Sequence, residues 1–208
     1  MSITTLIILV TVVVSGAALL RPELLQRLLF NPYQVDARGQ WYRFITHAFV
    51  HSDWIHLLVN MWVLWNFGPS TEMFFTAFAG AAGPFLYLAL YVGGVMFASL
   101  PAYGRHRTNP GYNAVGASGA VAAILFSAIY FTPTVGIGIM FIPVPIPAFI
   151  FGVIYLGLEY YLDKKSNDHI AHDAHFWGAV FGFVFTALVA LSHFPTFVAE
   201  IRFYLGLI

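Results

Sequence analysis

An all-α, polytopic membrane protein, a bundle of six transmembrane helices with an interfacial first loop, is the fold class this sequence predicts. Three observations predict it. Of the 208 residues, 60% are hydrophobic and 9% are charged, with a mean hydropathy of +0.79. Soluble domains run nearer half apolar and a quarter charged, so these charges are too few to cover a water-facing surface. Several uncharged runs are long enough to cross a bilayer. Between them the chain is punctuated by proline, glycine and its few charges, as at Arg21-Pro22-Glu23, at Gly68-Pro69 and from Asp163 to Asp168.

The elements follow in order. Residues 3–20 form the first span. The segment has no basic leader region and is longer than a signal-peptide core, so it reads as retained, and no Arg/Ser-rich leader is present. Leu24, Leu25, Leu28 and Leu29 alternate with Gln26 and Arg27 in a helical pattern, which predicts an amphipathic piece lying in the interface. Trp41, Tyr42 and Arg43 are interfacial residue types. The second span covers about 46–67, is interrupted by Ser52-Asp53 and ends at Gly68-Pro69; the third covers about 84–100, followed by a polar loop from Pro101 to Asn113. The fourth covers about 116–131 and stops before Pro133. Pro143, Pro145 and Pro147 forbid a helix and predict an extended connector. The fifth span covers about 148–162 and the sixth about 174–191. The tail from 193 is too short and interrupted for a seventh. The whole chain, 1–208, reads as one membrane domain.

The same composition excludes several functions. A formal net charge of +0 without a basic patch makes nucleic acid an unexpected partner. The absence of cysteine rules out disulfides, thiolate metal sites and cysteine nucleophiles.

The polar residues inside the spans point to chemistry. With six spans, helices two, four and six run the same way, so their N-terminal ends share one side. His47, His51, His56 and Asn60 lie early in span two, Ser118 at the head of span four and His175 at the head of span six. Gly116, Ala120, Ala123 and Ser127 make a narrow stripe on span four. Gly178 and Gly182 make a GxxxG stripe on span six, and such stripes let helices approach closely. His175 lies three residues before Gly178 and so faces that contact. A serine hydroxyl is a weak nucleophile until a base takes its proton, and histidine does this near neutral pH. An oxyanion needs donors; the Asn60 amide, the His56 ring and the Ser118 backbone N–H are candidates. Asp173 sits beside His175 in sequence but on another face, so a Ser–His dyad is expected rather than a triad. A second reading takes His47, His51, His56, His169, His172 and His175 as metal ligands. Its weakness is the shortage of paired acids, and it leaves the glycine-flanked serine unexplained.

The chain resembles the rhomboid intramembrane serine proteases over about 43–183. Arg43-Phe44-Ile45-Thr46-His47 with His51, His56, Asn60, Gly68 and Glu72 is similar to that family's second-helix pattern. Gly116-Ala117-Ser118-Gly119 is similar to its nucleophile motif, and Ala174-His175 with Gly178 and Gly182 to its sixth-helix motif. The resemblance implies Ser118 as nucleophile and His175 as general base. It places His56, Asn60 and Gly116 around the oxyanion and substrate, and Arg43, His47, His51, Glu72, Gly119, Gly178 and Gly182 in structural roles. It implies transmembrane proteins as substrates, the lipid bilayer as surroundings, and no metal or other cofactor. Ala122 stands where some members carry an aromatic ring that supports the histidine. A client-binding relative without turnover is the alternative; such a protein is free to lose the serine or the histidine, and both are present. The resemblance also implies a multi-pass protein of the cell membrane, inner or plasma, with a cytoplasmic N-terminus, although the loop charges alone favour the opposite orientation.

Overall fold

The structure is a computed structural model and describes residues 1–139, 142–165 and 171–207. Helix α1 runs Ile3–Leu20. Its first turn is capped twice. Ser2 Oγ accepts from the Thr5 N–H, and the Glu72 carboxylate accepts from the N–H groups of Ile3 and Thr4 at 2.8 and 3.0 Å. A helix start leaves four N–H groups unpaired and carries a partial positive charge, so a carboxylate there is doubly favoured.

The first loop folds into short helices. α2 (Pro22–Leu28) and α3 (Pro32–Arg38) both begin with proline, which suits the first helical position. Asn31 caps α3, and Gly39, at φ 63°, ends it in the left-handed region. α4 is a single turn, Arg43–Thr46. Phe30, Val35 and Phe44 pack with Ala102 beneath this loop, and Phe30 exchanges two backbone hydrogen bonds with Ala114.

α5 (Trp54–Ala79) and α6 (Gly83–His106) form an antiparallel pair around a tight turn at Gly80–Ala82. α7 spans Ser118–Phe131, and every residue from Gly119 to Phe131 is buried. It is the hub of the bundle, packed against α5, α6, α8 and α9. Strands β1 (Gly136–Ile139) and β2 (Ile142–Pro147) pair antiparallel and lead into α8 (Ala148–Lys165). α9 runs His172–Val189, and α10 (Phe194–Tyr204) leaves it at 90°.

The six segments expected as spans fall on α1, α5, α6, α7, α8 and α9. By length and composition, Ile3–Leu20 and the Trp54–His106 stretch suffice to cross a membrane, with mean hydropathies of 2.5 and 1.7. α9 joins them when counted with its bent continuation. α7 has 14 residues and is sheathed in protein. α8 is diluted by Glu159, Asp163, Lys164 and Lys165.

Several boundaries differ from the sequence reading. The second helix does not occupy 46–67: it starts at Trp54, where Asp53 caps it, and passes through Gly68-Pro69 to Ala79. α6 likewise passes through Pro101, expected in a loop. Proline is tolerated inside membrane helices when packing and local adjustment make up for the lost backbone bond, and both helices continue through theirs. The proline-rich connector is extended, but it is half of a hairpin. α9 begins two residues earlier than expected, at His172.

The closest approach in the bundle is between α7 and α9. A Cβ built on Gly178 would lie 2.1 Å from the carbonyl oxygen of Gly119, and one on Gly182 would lie 2.2 Å from that of Ala123. Neither backbone oxygen has room to move, since Gly119 is itself packed on Ala98 and Ala123 on Gly94. Overpacking a rigid contact costs about 1–3 kcal/mol or more. Gly178→Ala and Gly182→Ala are therefore expected to destabilise by at least about 2 kcal/mol. Gly157→Ala, at a position with no atom within 4 Å, should stay within about 0.5 kcal/mol of wild type. Thermal unfolding in detergent measures all three.

Candidate active site

The site lies at the end of the bundle where α5, α7 and α9 begin. Ser118 is the first residue of α7 and is half-buried. The chain reaches it through Gly116, whose φ of +113° disfavours any side chain. A Cβ at Gly116 would also sit 2.8 Å from the His56 ring, so glycine is required twice over. The Gly116 N–H donates to the His47 carbonyl at 3.0 Å, fixing the turn onto the first loop. Ser118 lines a cavity of about 30 Å³ with His47, Ser99 and Ala174. That volume holds one water molecule.

His175 is one turn into α9. Its Nδ1 lies 3.1 Å from Oε1 of Glu159, on α8. The other carboxylate oxygen, Oε2, lies 2.6 Å from Nδ1 of His172. Glu159 is buried, as is His172. A carboxylate accepts from Nδ1–H, which leaves Nε2 of His175 as a free base. Glu159 was absent from the sequence reading. Its signal was there: it is an acid one turn inside an otherwise uncharged span, and ionisable groups at that depth are functional by default.

Ser118 and His175 do not hydrogen-bond each other. Their chain neighbours do meet: Gly178 abuts the Gly119 carbonyl, and a Cβ on Gly119 would lie 3.3 Å from the Ala174 carbonyl. Catalytic hydrogen bonds are commonly long in unliganded sites and tighten around substrate. His56 is near enough to His175 for their charges to interact.

The expected oxyanion donors are more committed than the sequence suggested. Ser52 Oγ donates to Asp53 and lies 3.0 Å from Nδ1 of His56. Nδ1 is therefore the protonated nitrogen of a neutral His56, and Nε2, which with Cε1 forms the ring edge beside Gly116, is an acceptor. His56 donates from Nε2 only as imidazolium or after a tautomer change. One amide hydrogen of Asn60 is used on the His56 carbonyl at 3.0 Å, leaving one. The Ser118 N–H has no intrahelical partner by its position at the helix start.

The remaining residues are anchors in this structure. Arg43 is buried and donates to the carbonyls of Gln26 and Leu29 and to Gln40. His47 bridges the Arg43 carbonyl and Ser99. His51 Nε2 lies 3.5 Å from the Ala117 N–H and Nδ1 lies 3.1 Å from Ser15 Oγ, which ties α1 to the serine turn. Glu72 caps α1, and Gly119, Gly178 and Gly182 form the seam. Asp173 pairs with Arg105, which also meets Asp163 at 3.4 Å. His47, His51 and His56 thus lie around the start of α5 and His172 and His175 on α9, while His169 lies outside the described residues. Among the described residues, the one trio of potential ligands in close range is Glu159, His172 and His175.

His47 and His51 lie in the connection ahead of α5. Burial pushes His47 down to about 4 and His51 down to about 3, the latter helped by neighbouring His56. Both are neutral when folded, whereas the unfolded chain protonates them near 6.5. Their contribution to stability is complete above about 6.5 and is lost as the pH falls toward their folded values. The thermal midpoint in detergent is expected to drop between pH 7 and pH 5, with a shallower drop in His47→Gln.

The Rhomboid domain matches residues 38–192 of the chain. RHOMBOID-like protein 12, mitochondrial, of Arabidopsis thaliana is 28% identical over 188 residues, which cover 81% of this chain and 54% of that protein. Presenilin-associated rhomboid-like protein A, mitochondrial, of Danio rerio is 27% identical over 152 residues, covering 66% of this chain and 35% of that protein. The chain therefore spans about half the length of the first relative and about a third of the second.

Proposed function

Because the chain belongs to the rhomboid family, we propose that it is an intramembrane serine protease, cutting peptide bonds in or near transmembrane segments of other proteins. The observation that carries this reading is the held imidazole: His175 is fixed through Nδ1 by a buried carboxylate, on a helix whose glycine contacts the residue after Ser118.

The mechanism follows from those contacts. Ser118 Oγ attacks the scissile carbonyl while His175 Nε2 takes its proton. Glu159 accepts the Nδ1–H, holds the tautomer that leaves Nε2 basic, and offsets the charge of the imidazolium that forms. The Ser118 N–H and the free amide hydrogen of Asn60 receive the developing oxyanion, with the α7 N-terminal dipole behind them. His175 then returns the proton to the leaving amine, and water, activated by the same imidazole, releases the acyl group. The site is a Ser–His pair with a carboxylate positioning residue, rather than the dyad alone that the sequence suggested.

The membrane setting rests on the family and on the long apolar helices. Six crossings, by α1 and α5 to α9, are the reading that puts all the site residues at one level. Both relatives are named as mitochondrial, so they lend no support to a plasma-membrane address. The client-binding alternative draws on the absence of a hydrogen bond between Ser118 and His175; the carboxylate held at Nδ1 of His175 favours catalysis, because it leaves Nε2 as the base.

Purified protein with a transmembrane-segment substrate tests this. Ser118→Ala and His175→Ala should each abolish cleavage. Glu159→Gln should lower kcat by about 10²–10⁴, the range for impaired general base catalysis, with KM within about twofold, and Glu159→Asp should recover part of the loss. A kcat unaffected by Glu159→Gln would contradict the positioning role.

A further inference from the structure

We propose that Glu159, His172 and His175 form a binding site for a zinc-type divalent cation, and that the bound metal switches the protease off by occupying its base. The switch rests on the protease reading above; the binding site does not.

Three features carry the inference. The first is convergence. His172 and His175 are three residues apart on α9, so both project from one helix face, and both turn Nδ1 toward the same α8 carboxylate, at 2.6 and 3.1 Å. The ligand atoms of all three residues lie within 4.8 Å of one another. The second is burial: the side chains of His172, Glu159 and His175 are 7, 10 and 19% exposed. The cluster is sheltered but reachable, His175 being its open edge. The third is the donor set. Two imidazoles and one carboxylate are the three ligands zinc takes when a fourth position stays open. Calcium and magnesium demand more oxygen donors than this site offers.

The chemistry makes metal binding and catalysis exclusive. Catalysis needs the Nδ1–H tautomer of His175, with the lone pair at Nε2. Zinc takes the Nδ1 lone pair, so the ring proton must sit on Nε2. An imidazole in that state has no lone pair to accept the serine proton, and Glu159 no longer accepts from it. Nδ1 of His47, His51 and His56 is engaged by Arg43, Ser15 and Ser52 respectively, and none of the three belongs to the close-range trio.

The test separates the two halves of the proposal. Ser118→Ala protein in detergent is titrated with Co²⁺, read by the visible bands of a tetrahedral ion, and with Zn²⁺ by calorimetry. One ion per chain is expected. Adding His172→Ala or Glu159→Gln should each weaken binding by at least about tenfold, since even an outer-shell partner of a metal ligand is worth 10–100-fold; adding His106→Ala should not. Binding that neither His172→Ala nor Glu159→Gln alters overturns the site. Active protein is then assayed with Zn²⁺ and with a chelator. Cleavage should stop with Zn²⁺ and return with chelator, and His172→Asn should cleave without metal but resist inhibition. Zinc bound at one per chain with an unaltered cleavage rate overturns the switch. Tetrahedral bands in a protein that never cleaves would support the site while sinking the protease reading.

Discussion

The backbone contact between α7 and α9 is the constraint on which the rest of this structure depends. Two carbonyl oxygens, of Gly119 and Ala123, sit where the Cβ atoms of any residue but glycine would be at positions 178 and 182. Apolar helices in lipid gain little from the hydrophobic effect when they associate, so close van der Waals packing and interhelical hydrogen bonds must hold them. The seam supplies the first along its upper half. Below it, Thr186 donates to Ser127 at 2.8 Å and supplies the second. With the axes this close, the heads of the two helices, and with them Ser118 and His175, lie at the same end of the seam.

A second layer of polar contacts fixes the heads of the helices. Glu72 caps α1 and meets Thr4, whose hydroxyl lies 2.7 Å from Tyr87, so α1, α5 and α6 are joined at one end. At the other end, Arg43 gathers the carbonyls of the first loop, and His47 and His51 carry that order to the turn before Ser118. Buried polar groups in lipid are expensive unless paired, and here they are spent on register. The first loop and the segment after it are thereby tied to the turn that precedes Ser118.

How much of this could be read from the sequence varies with the physics involved. Hydrophobic runs bounded by charge gave the order of the helices, and the GxxxG spacing gave the seam, because both are local patterns. Pro69 and Pro101 misled, since a proline reads as a stop by local rules, whereas a membrane helix passes through it when its surroundings compensate. The hairpin after α7 was legible only as extended chain; pairing is a non-local property. Glu159 was missed because it precedes the polar Asp163–Lys165 end of its helix and looks like part of it. Its meaning comes from His175, 16 positions away in sequence and 3.1 Å away in space. The donor roles of His56 and Asn60 depend on which proton each has already given to Ser52 or to a helix carbonyl, and no spacing rule reports that.

The central claim is that Ser118 is a nucleophile activated by His175. Its most direct test is a fluorophosphonate reaction followed by peptide mass mapping of the adduct. A single phosphonylated peptide is expected, with the mass shift on Ser118, and no adduct in folded His175→Ala protein. An adduct on a different serine, or labelling of Ser118 that persists at full rate without His175, would contradict it.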